Sequence, residues 1–111
     1  MSDYYDRQGN PLTSDEWALR FSAKRNWEDF RVALTEYGEI TVSTVWLGLD
    51  YSFGHGPPLI FETMVFGGEY DQYQERYSTE EQALAGHNAT VAMVLEKERE
   101  QDAGTTTIPD P

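Results

Sequence analysis

The sequence contains no cysteine, few basic residues and no long apolar run. The absence of cysteine excludes disulfides, thiol catalysis and cysteine-based zinc sites, and it fits a reducing compartment. No apolar run approaches the roughly 18 residues that a membrane-spanning helix requires. The first residues, MSDYYDRQGN, lack the apolar core and basic flank of a signal peptide. We therefore expect a cytoplasmic protein with no membrane partner.

Acidic residues outnumber basic residues by 20 to 8, which gives a formal net charge of −12. A surface of this sign repels nucleic acid phosphates, so we expect no direct nucleic acid binding. The charge either keeps the chain in solution or faces a basic partner. A further alternative is an acidic DNA mimic, which would require carboxylates in rows along one face. The acidic clusters are instead scattered over predicted caps, turns and a helix end: 15–16, 28–29, 69–75, 80–81 and 96–102.

Two runs rich in β-branched and aromatic residues, Ile40–Leu49 and Leu59–Phe66, flank a loop with glycines and prolines. This pattern predicts two paired strands with a long connection. Residues Phe30–Tyr37 and Gln72–Tyr77 are predicted to form two more strands. Because consecutive strands with short turns tend to pair in order, we expect a four-stranded antiparallel meander.

Two helices are predicted from capping boxes, in which a hydroxyl and an acidic side chain three residues later cap each other's amides. Thr13-Ser14-Asp15-Glu16 begins a short helix, which we expect to end near Arg25. Ser78-Thr79-Glu80-Glu81 begins a long helix, expected over about 79–100. Its predicted apolar seam repeats at spacings of three and four and consists of Leu84, His87, Val91 and Val94, widened by Ala83, Thr90 and Leu95.

These elements predict an α+β fold: a four-stranded antiparallel meander with a long C-terminal helix packed on one face and a short N-terminal helix. Residues 1–100 should form one domain, followed by a mobile tail over 101–111. The apolar residues of Ile40–Leu49 do not alternate cleanly. Either a bulge near Ser43-Thr44 shifts their phase, or both sheet faces are covered. We favour two covered faces, with the N-terminal helix over part of the second.

The loop Tyr51–Pro58 is the main candidate for a binding site, because long loops on a rigid sheet often carry function. The alternative is a wide connection stiffened by its prolines. A small enzyme or small-molecule binder would use His55 with Asp50 and Glu62. Glu62 alternatively faces solvent or pairs with Arg31 or Arg76. His87 is interpreted as a core or boundary histidine with one hydrogen-bond partner, and the spacing of the two histidines indicates no metal site. We expect no catalytic residue and no cofactor.

Aromatic residues gather at the predicted loops and at the last strand. They indicate either a protein interface, where aromatic side chains anchor binding, or partial burial with solvated hydroxyls. The predicted binding residues are Tyr51, Phe53, His55, Tyr70 and Tyr73.

Three stretches carry a resemblance that spans roughly residues 4–95: YYDRQGNPL, VSTVWLGLDYSFGHGPPLIFETMVFGGEYDQYQERYSTEEQALAGH, and the capped last helix. Together they resemble uncharacterised small acidic proteins of actinobacteriophages and related prophages. The resemblance carries no catalytic residues. It implies a phage accessory protein in the host bacterial cytoplasm, and we expect it to be non-enzymatic and to bind and modulate or inhibit a host protein. The oligomeric state is left open, with a homodimer among the alternatives.

Overall fold

The computed structural model describes residues 3–23 and 30–105, and these residues form an α+β fold. The element order is β1 (Tyr4–Tyr5), β2 (Pro11–Leu12), α1 (Ser14–Ala23), β3 (Arg31–Tyr37), β4 (Ile40–Trp46), β5 (Phe61–Phe66), β6 (Gln74–Tyr77) and α2 (Glu80–Thr105). β1 and β2 form a small antiparallel pair, which the sequence analysis did not predict. The predicted α+β class is confirmed.

The main sheet is the predicted antiparallel meander, with strand order β3-β4-β5-β6. A two-residue turn joins β3 to β4, with Tyr37 paired to Ile40 and Gly38 at φ +59°. β4 ends at Trp46, earlier than expected, and Leu49 makes only an isolated bridge with Tyr4. The long connection between β4 and β5 therefore leaves one end of the sheet, and the β3–β4 and β5–β6 turns lie at the other end.

β4 alternates without interruption, so the bulge near Ser43-Thr44, which was the less favoured alternative, is absent from it. Its buried residues Ile40, Val42, Thr44 and Trp46 face α2. The register shift lies instead in β3, between Arg31 and Ala33. Residues Thr41, Ser43 and Val45 are only half-buried. We call the side of the sheet that they occupy the second face. It also carries Leu34, Glu62, Met64 and Phe66.

The expectation that both faces are covered, with α1 over part of the second, is wrong for the described residues. α1 packs against β1 and β2. The indole N–H of its Trp17 donates to the carbonyl of Leu47, beyond the end of β4 (3.4 Å). α1 therefore lies near one end of the sheet, and the side chains of Leu34 and Phe66 on the second face remain substantially exposed.

The contact face of α2 overlaps the predicted seam but is shifted toward Ala83 and Thr90, which were expected only to widen it. Ala83, His87, Thr90 and Val94 are buried, whereas Leu84 is 43% exposed. The sheet supplies the large side chains at this contact. A Cβ on Gly86 would lie 2.2 Å from the hydroxyl oxygen of Tyr77. α2 therefore presents small and polar residues to the sheet beside the valines of the predicted seam, and counting apolar residues wrongly placed Leu84 at the contact.

The core consists of two clusters beneath α2. One contains Tyr5, Trp46, Ile60, Phe61, Tyr77 and Ala83, with Phe30 and Val32 packed against it. The rings of Phe30 and Trp46 stack with centroids 6.2 Å apart. The other contains Ile40, Val42, Val65 and Val94, with Tyr70, Tyr73 and Val91 packed against it.

Both helix starts use reciprocal side-chain capping. At α1, Thr13 Oγ1 accepts from the Glu16 amide (3.1 Å) and Glu16 Oε1 accepts from the Thr13 amide (2.8 Å), which confirms the first capping box. At α2 the box lies one residue later than predicted. There Thr79 Oγ1 accepts from the Gln82 amide (3.0 Å), and Gln82 Oε1 accepts from the amides of Ser78 and Thr79.

The far ends of both helices also differ from the expected bounds. α2 continues through 101–105, into the segment predicted to be a mobile tail. The remainder of that predicted tail, 106–111, lies outside the described residues, as does the end of the predicted first helix beyond Ala23.

Candidate functional site

The 51–58 loop is closed at its base by the carboxylate of Asp50. Asp50 Oδ1 accepts from the amides of Ser52 (2.7 Å) and Leu59 (3.0 Å), which stand on the two sides of the loop. The Tyr51 amide donates to the Leu59 carbonyl (3.0 Å). Burial would raise the pKa of Asp50, but hydrogen bonds from Ser52 and Leu59 to the charged form outweigh it, and the pKa is lowered. The loop is therefore anchored at both ends.

The tip of this loop presents a phenylalanine to solvent. Phe53 is 80% exposed and adopts a left-handed backbone conformation at φ +55°. Gly54 and Gly56 also have positive φ, and the His55 amide donates to the Ser52 carbonyl (3.0 Å), which closes a turn around Phe53. A left-handed conformation costs a residue with a Cβ roughly 1–2 kcal/mol. Strained backbone conformations of this kind cluster at functional sites. Here the strained residue carries an apolar ring that is exposed to solvent.

Tyr51 belongs to a polar group beside the loop rather than to the loop tip. The guanidinium of Arg76 lies over the Tyr51 ring, 4.4 Å from its centroid. Arg76 Nε donates to Glu62 Oε2 (3.1 Å), which confirms the alternative that paired Glu62 with Arg76. Gln74 Nε2 donates to the same oxygen (2.8 Å). This group fixes Tyr51 against β6.

The trio considered for an enzyme or small-molecule binder occupies three different environments. The Asp50 carboxylate holds the loop base, the Glu62 carboxylate pairs with Arg76, and His55 is exposed on the tip. Across residues 3–23 and 30–105, no group of three or more histidine, aspartate or glutamate side chains is arranged to hold a metal ion.

Tyr70 and Tyr73 lie at the opposite end of the sheet from Tyr51, Phe53 and His55. Because the chain reverses direction with each antiparallel strand, the β4–β5 and β5–β6 connections lie at opposite ends. The two tyrosine rings pack edge to face, with centroids 6.3 Å apart, against the second core cluster. Tyr73 Oη donates to Glu75 Oε1 (2.8 Å), and this bond raises the pKa of Tyr73. The predicted binding residues therefore do not form one surface.

A buried polar network under α2 was missed by the sequence analysis. Both ring nitrogens of His87 reach hydroxyls: Nε2 lies 2.9 Å from Thr35 Oγ1 and Nδ1 lies 2.7 Å from Thr44 Oγ1. Thr44 Oγ1 in turn lies 2.5 Å from Thr63 Oγ1. Burial lowers the pKa of His87. The predicted core histidine is thus buried, but it has two partners instead of one. In β4 and β5, Thr44 and Thr63 stand at the same alternate positions as the buried apolar residues. This alternation was the sequence signal that could have predicted the burial of both threonines.

The second face carries a shallow groove that the sequence analysis did not predict. It is lined by Arg31, Leu34, Thr41, Ser43, Val45 and Phe66. These residues come from three adjacent strands, and their shared face follows from the strand registers.

No protein-family description, curated protein or solved structure matches this chain. Within the part of the chain that the structure describes, neither helix has the length and apolar character needed to cross a bilayer.

Proposed function

We propose that this chain is a non-enzymatic protein-binding module whose 51–58 loop inserts an exposed aromatic side chain into a partner. The observation that carries this proposal is Phe53, an 80% exposed phenylalanine in a strained conformation on an anchored loop. A buried aromatic anchor contributes more binding energy than most interface residues. A loop already held in shape also loses less conformational entropy on binding.

The setting that we propose comes from the sequence resemblance to small acidic phage proteins: an accessory protein that binds and modulates or inhibits a host bacterial protein. The contacts of Asp50 and Glu62 favour binding over chemistry at this loop. Both carboxylates are engaged in structural hydrogen bonds, and His55 lies apart from them on the exposed tip.

Several acidic side chains have local partners, which gives little support to the DNA-mimic alternative. Glu80 pairs with Arg7 (3.0 Å), Glu62 pairs with Arg76, and Asp71 Oδ1 accepts from the Gly67 amide (2.7 Å). A mimic needs its carboxylates free and in rows, so that they replace phosphates in a basic groove.

The experiment is a comparative pull-down from bacterial lysate with three baits: the original protein, Phe53→Asn and Leu84→Gln. Leu84 is the matched control, because it is an exposed apolar residue on α2 and not on the loop. We expect a specific host protein that is retained by the original protein and by the Leu84 variant but lost with Phe53→Asn. Retention should persist at high salt, because an apolar anchor is not screened.

Two results would contradict the proposal. If Phe53→Asn retained the host protein as well as the original protein does, the loop tip would not be part of the interface. Retention that disappears at high salt and is displaced by DNA would favour acidic mimicry instead.

A further inference from the structure

The two edges of the main sheet are built differently. In the described part of the chain, β3 pairs only with β4 and β6 pairs only with β5, so both are edge strands. β6 is short and mostly polar, with the sequence QERY, which is a common protection against pairing with another chain. β3 has seven residues, RVALTEY, and no proline. The bulge near Arg31 interrupts only one end, so Ala33–Tyr37 remains a regular edge.

The backbone groups of β3 that point outward are those of Leu34 and Glu36. The Trp46 amide donates to the Phe30 carbonyl (2.8 Å), so Trp46 and alternate residues of β4 direct their backbone groups toward β3. The register partners of these β4 residues are Ala33, Thr35 and Tyr37, which therefore face back toward β4. The intervening residues present their N–H and C=O groups at the edge.

The side chains along this edge carry complementary charges around an apolar centre. Arg31, Leu34 and Glu36 all lie on the second face, because Arg31 and Leu34 line its groove and Glu36 is paired in register with Thr41. Leu34 is 40% exposed. Neither Arg31 nor Glu36 has an ion-pair partner within the described residues. Five residues of extended chain separate the two charges by about 16 Å, so they cannot pair with each other along one strand.

We propose that two copies of this chain associate through antiparallel pairing of β3 with β3, about a two-fold axis at Leu34. Directly opposite residues of an antiparallel pair share one face. Leu34 therefore meets Leu34 of the second copy, and Glu36 of each copy lies opposite the bulged pair Arg31–Val32 of the other, in which Arg31 is the residue on the second face. The bulge assists this pairing, because it turns Val32 toward the core and leaves Arg31 on the second face.

The opposite side of the same edge provides additional surface for the second copy. Tyr37 and Leu95 are both about half exposed, and they line a groove between β3 and α2 together with Ala92, Glu96 and Arg99. The pairing covers apolar surface on both sides of β3 and joins two four-stranded sheets into one. A net charge of −12 on each copy opposes association. The complementary charges of Arg31 and Glu36 favour this register over other β3–β3 registers, which do not bring the two side chains together.

The test is the oligomeric state of the purified 111-residue chain, measured by sedimentation velocity from micromolar to millimolar concentration. We expect a monomer–dimer equilibrium. Arg31→Glu or Glu36→Arg alone places like charges opposite each other twice per dimer, so each should weaken dimerisation by at least about tenfold. The double variant Arg31→Glu/Glu36→Arg restores both pairs and should recover the original dissociation constant within about threefold. Leu34→Lys should abolish the dimer.

Two matched controls separate this contact from other effects. Glu81→Arg, at an exposed position of α2, changes the net charge as much as Glu36→Arg does and should leave the dimer intact. Phe53→Asn should also leave it intact, since the loop serves the separate proposed function. Hydrogen exchange gives a local readout: the amides of Leu34 and Glu36 should be protected in the dimer and exposed in the Leu34→Lys variant.

A monomer at every concentration would overturn the proposal. So would a dimer that tolerates Leu34→Lys, a dimer that the double charge reversal does not restore, or a dimer that Phe53→Asn dissociates.

Discussion

Gly86 allows α2 to lie close to the sheet, and its replacement by alanine tests how tightly the two layers are packed. A Cβ at this position would lie 2.2 Å from the hydroxyl oxygen of Tyr77 and 2.3 Å from two of its ring carbons. Ordinary contacts of this kind require about 3.5 Å or more. The Tyr77 ring is buried in the first core cluster, between α2 and Phe61 on β5, so it has little room to move.

Two effects of opposite sign determine the magnitude. Alanine in a helix interior is favoured over glycine by about 1 kcal/mol. Inserting a methyl group into a well-packed core costs about 1–3 kcal/mol, and the shift required here, more than 1 Å of a buried ring, places the cost at the upper end. We therefore expect Gly86→Ala to lower the free energy of unfolding by about 2 kcal/mol.

The assay is urea unfolding followed by circular dichroism, arranged as a double-mutant cycle with Tyr77→Val. Valine has no atoms at the clashing positions, so in that background Gly86→Ala should raise the free energy of unfolding by up to about 1 kcal/mol. Asn88→Ala, at an exposed neighbouring position of α2, is the control and should not destabilise the protein. A neutral or stabilising effect of Gly86→Ala in the original protein would refute the reasoning.

Three further predictions concern the loop, the buried histidine and the face of α2. Phe53→Asn should leave the free energy of unfolding unchanged or raise it by up to about 1 kcal/mol, because asparagine tolerates the left-handed conformation; a loss above that size in urea unfolding would show that the ring supports the fold. The pKa of His87 is lowered by burial, so the unfolded state binds more protons below about pH 6.5. Stability should therefore fall as the pH falls from 7 toward 5, and a His87→Gln variant, compared by thermal unfolding, should lose this dependence. The carboxylate of Asp50 acts in a separate pH range. Because its pKa is lowered in the folded state, the stability that it contributes is lost only as the pH falls below about 3.8. Leu84→Ala should cost no more than about 0.5 kcal/mol and Val94→Ala more than about 1 kcal/mol; equal costs in urea unfolding would contradict the observed face of α2.

Local signals in the sequence predicted the elements and their order. Capping depends on a few residues close together in the chain, so the start of α1 at Thr13–Glu16 could be read directly. The strands β3 to β6 followed from their composition and from the glycines between them, and the short β3–β4 and β5–β6 connections indicated antiparallel pairing. The loop after Asp50 was recognised as a candidate because glycines and prolines interrupt two apolar runs.

Which side chains meet was decided by tertiary packing. The exact contact face of α2 depends on the Tyr77 ring against Gly86, a contact between distant parts of the sequence. Apolar periodicity does not reveal this contact, and it placed Leu84, which is 43% exposed, in the seam. The partners of His87 are Thr35 and Thr44, and Thr44 in turn bonds Thr63. The three threonines lie on different strands, and only the strand registers bring them together. The predicted binding residues separated to two ends of the sheet because the meander reverses the chain between them. A sequence lists residues along one dimension, whereas faces, edges and the distance between loops arise only when the strands are set side by side.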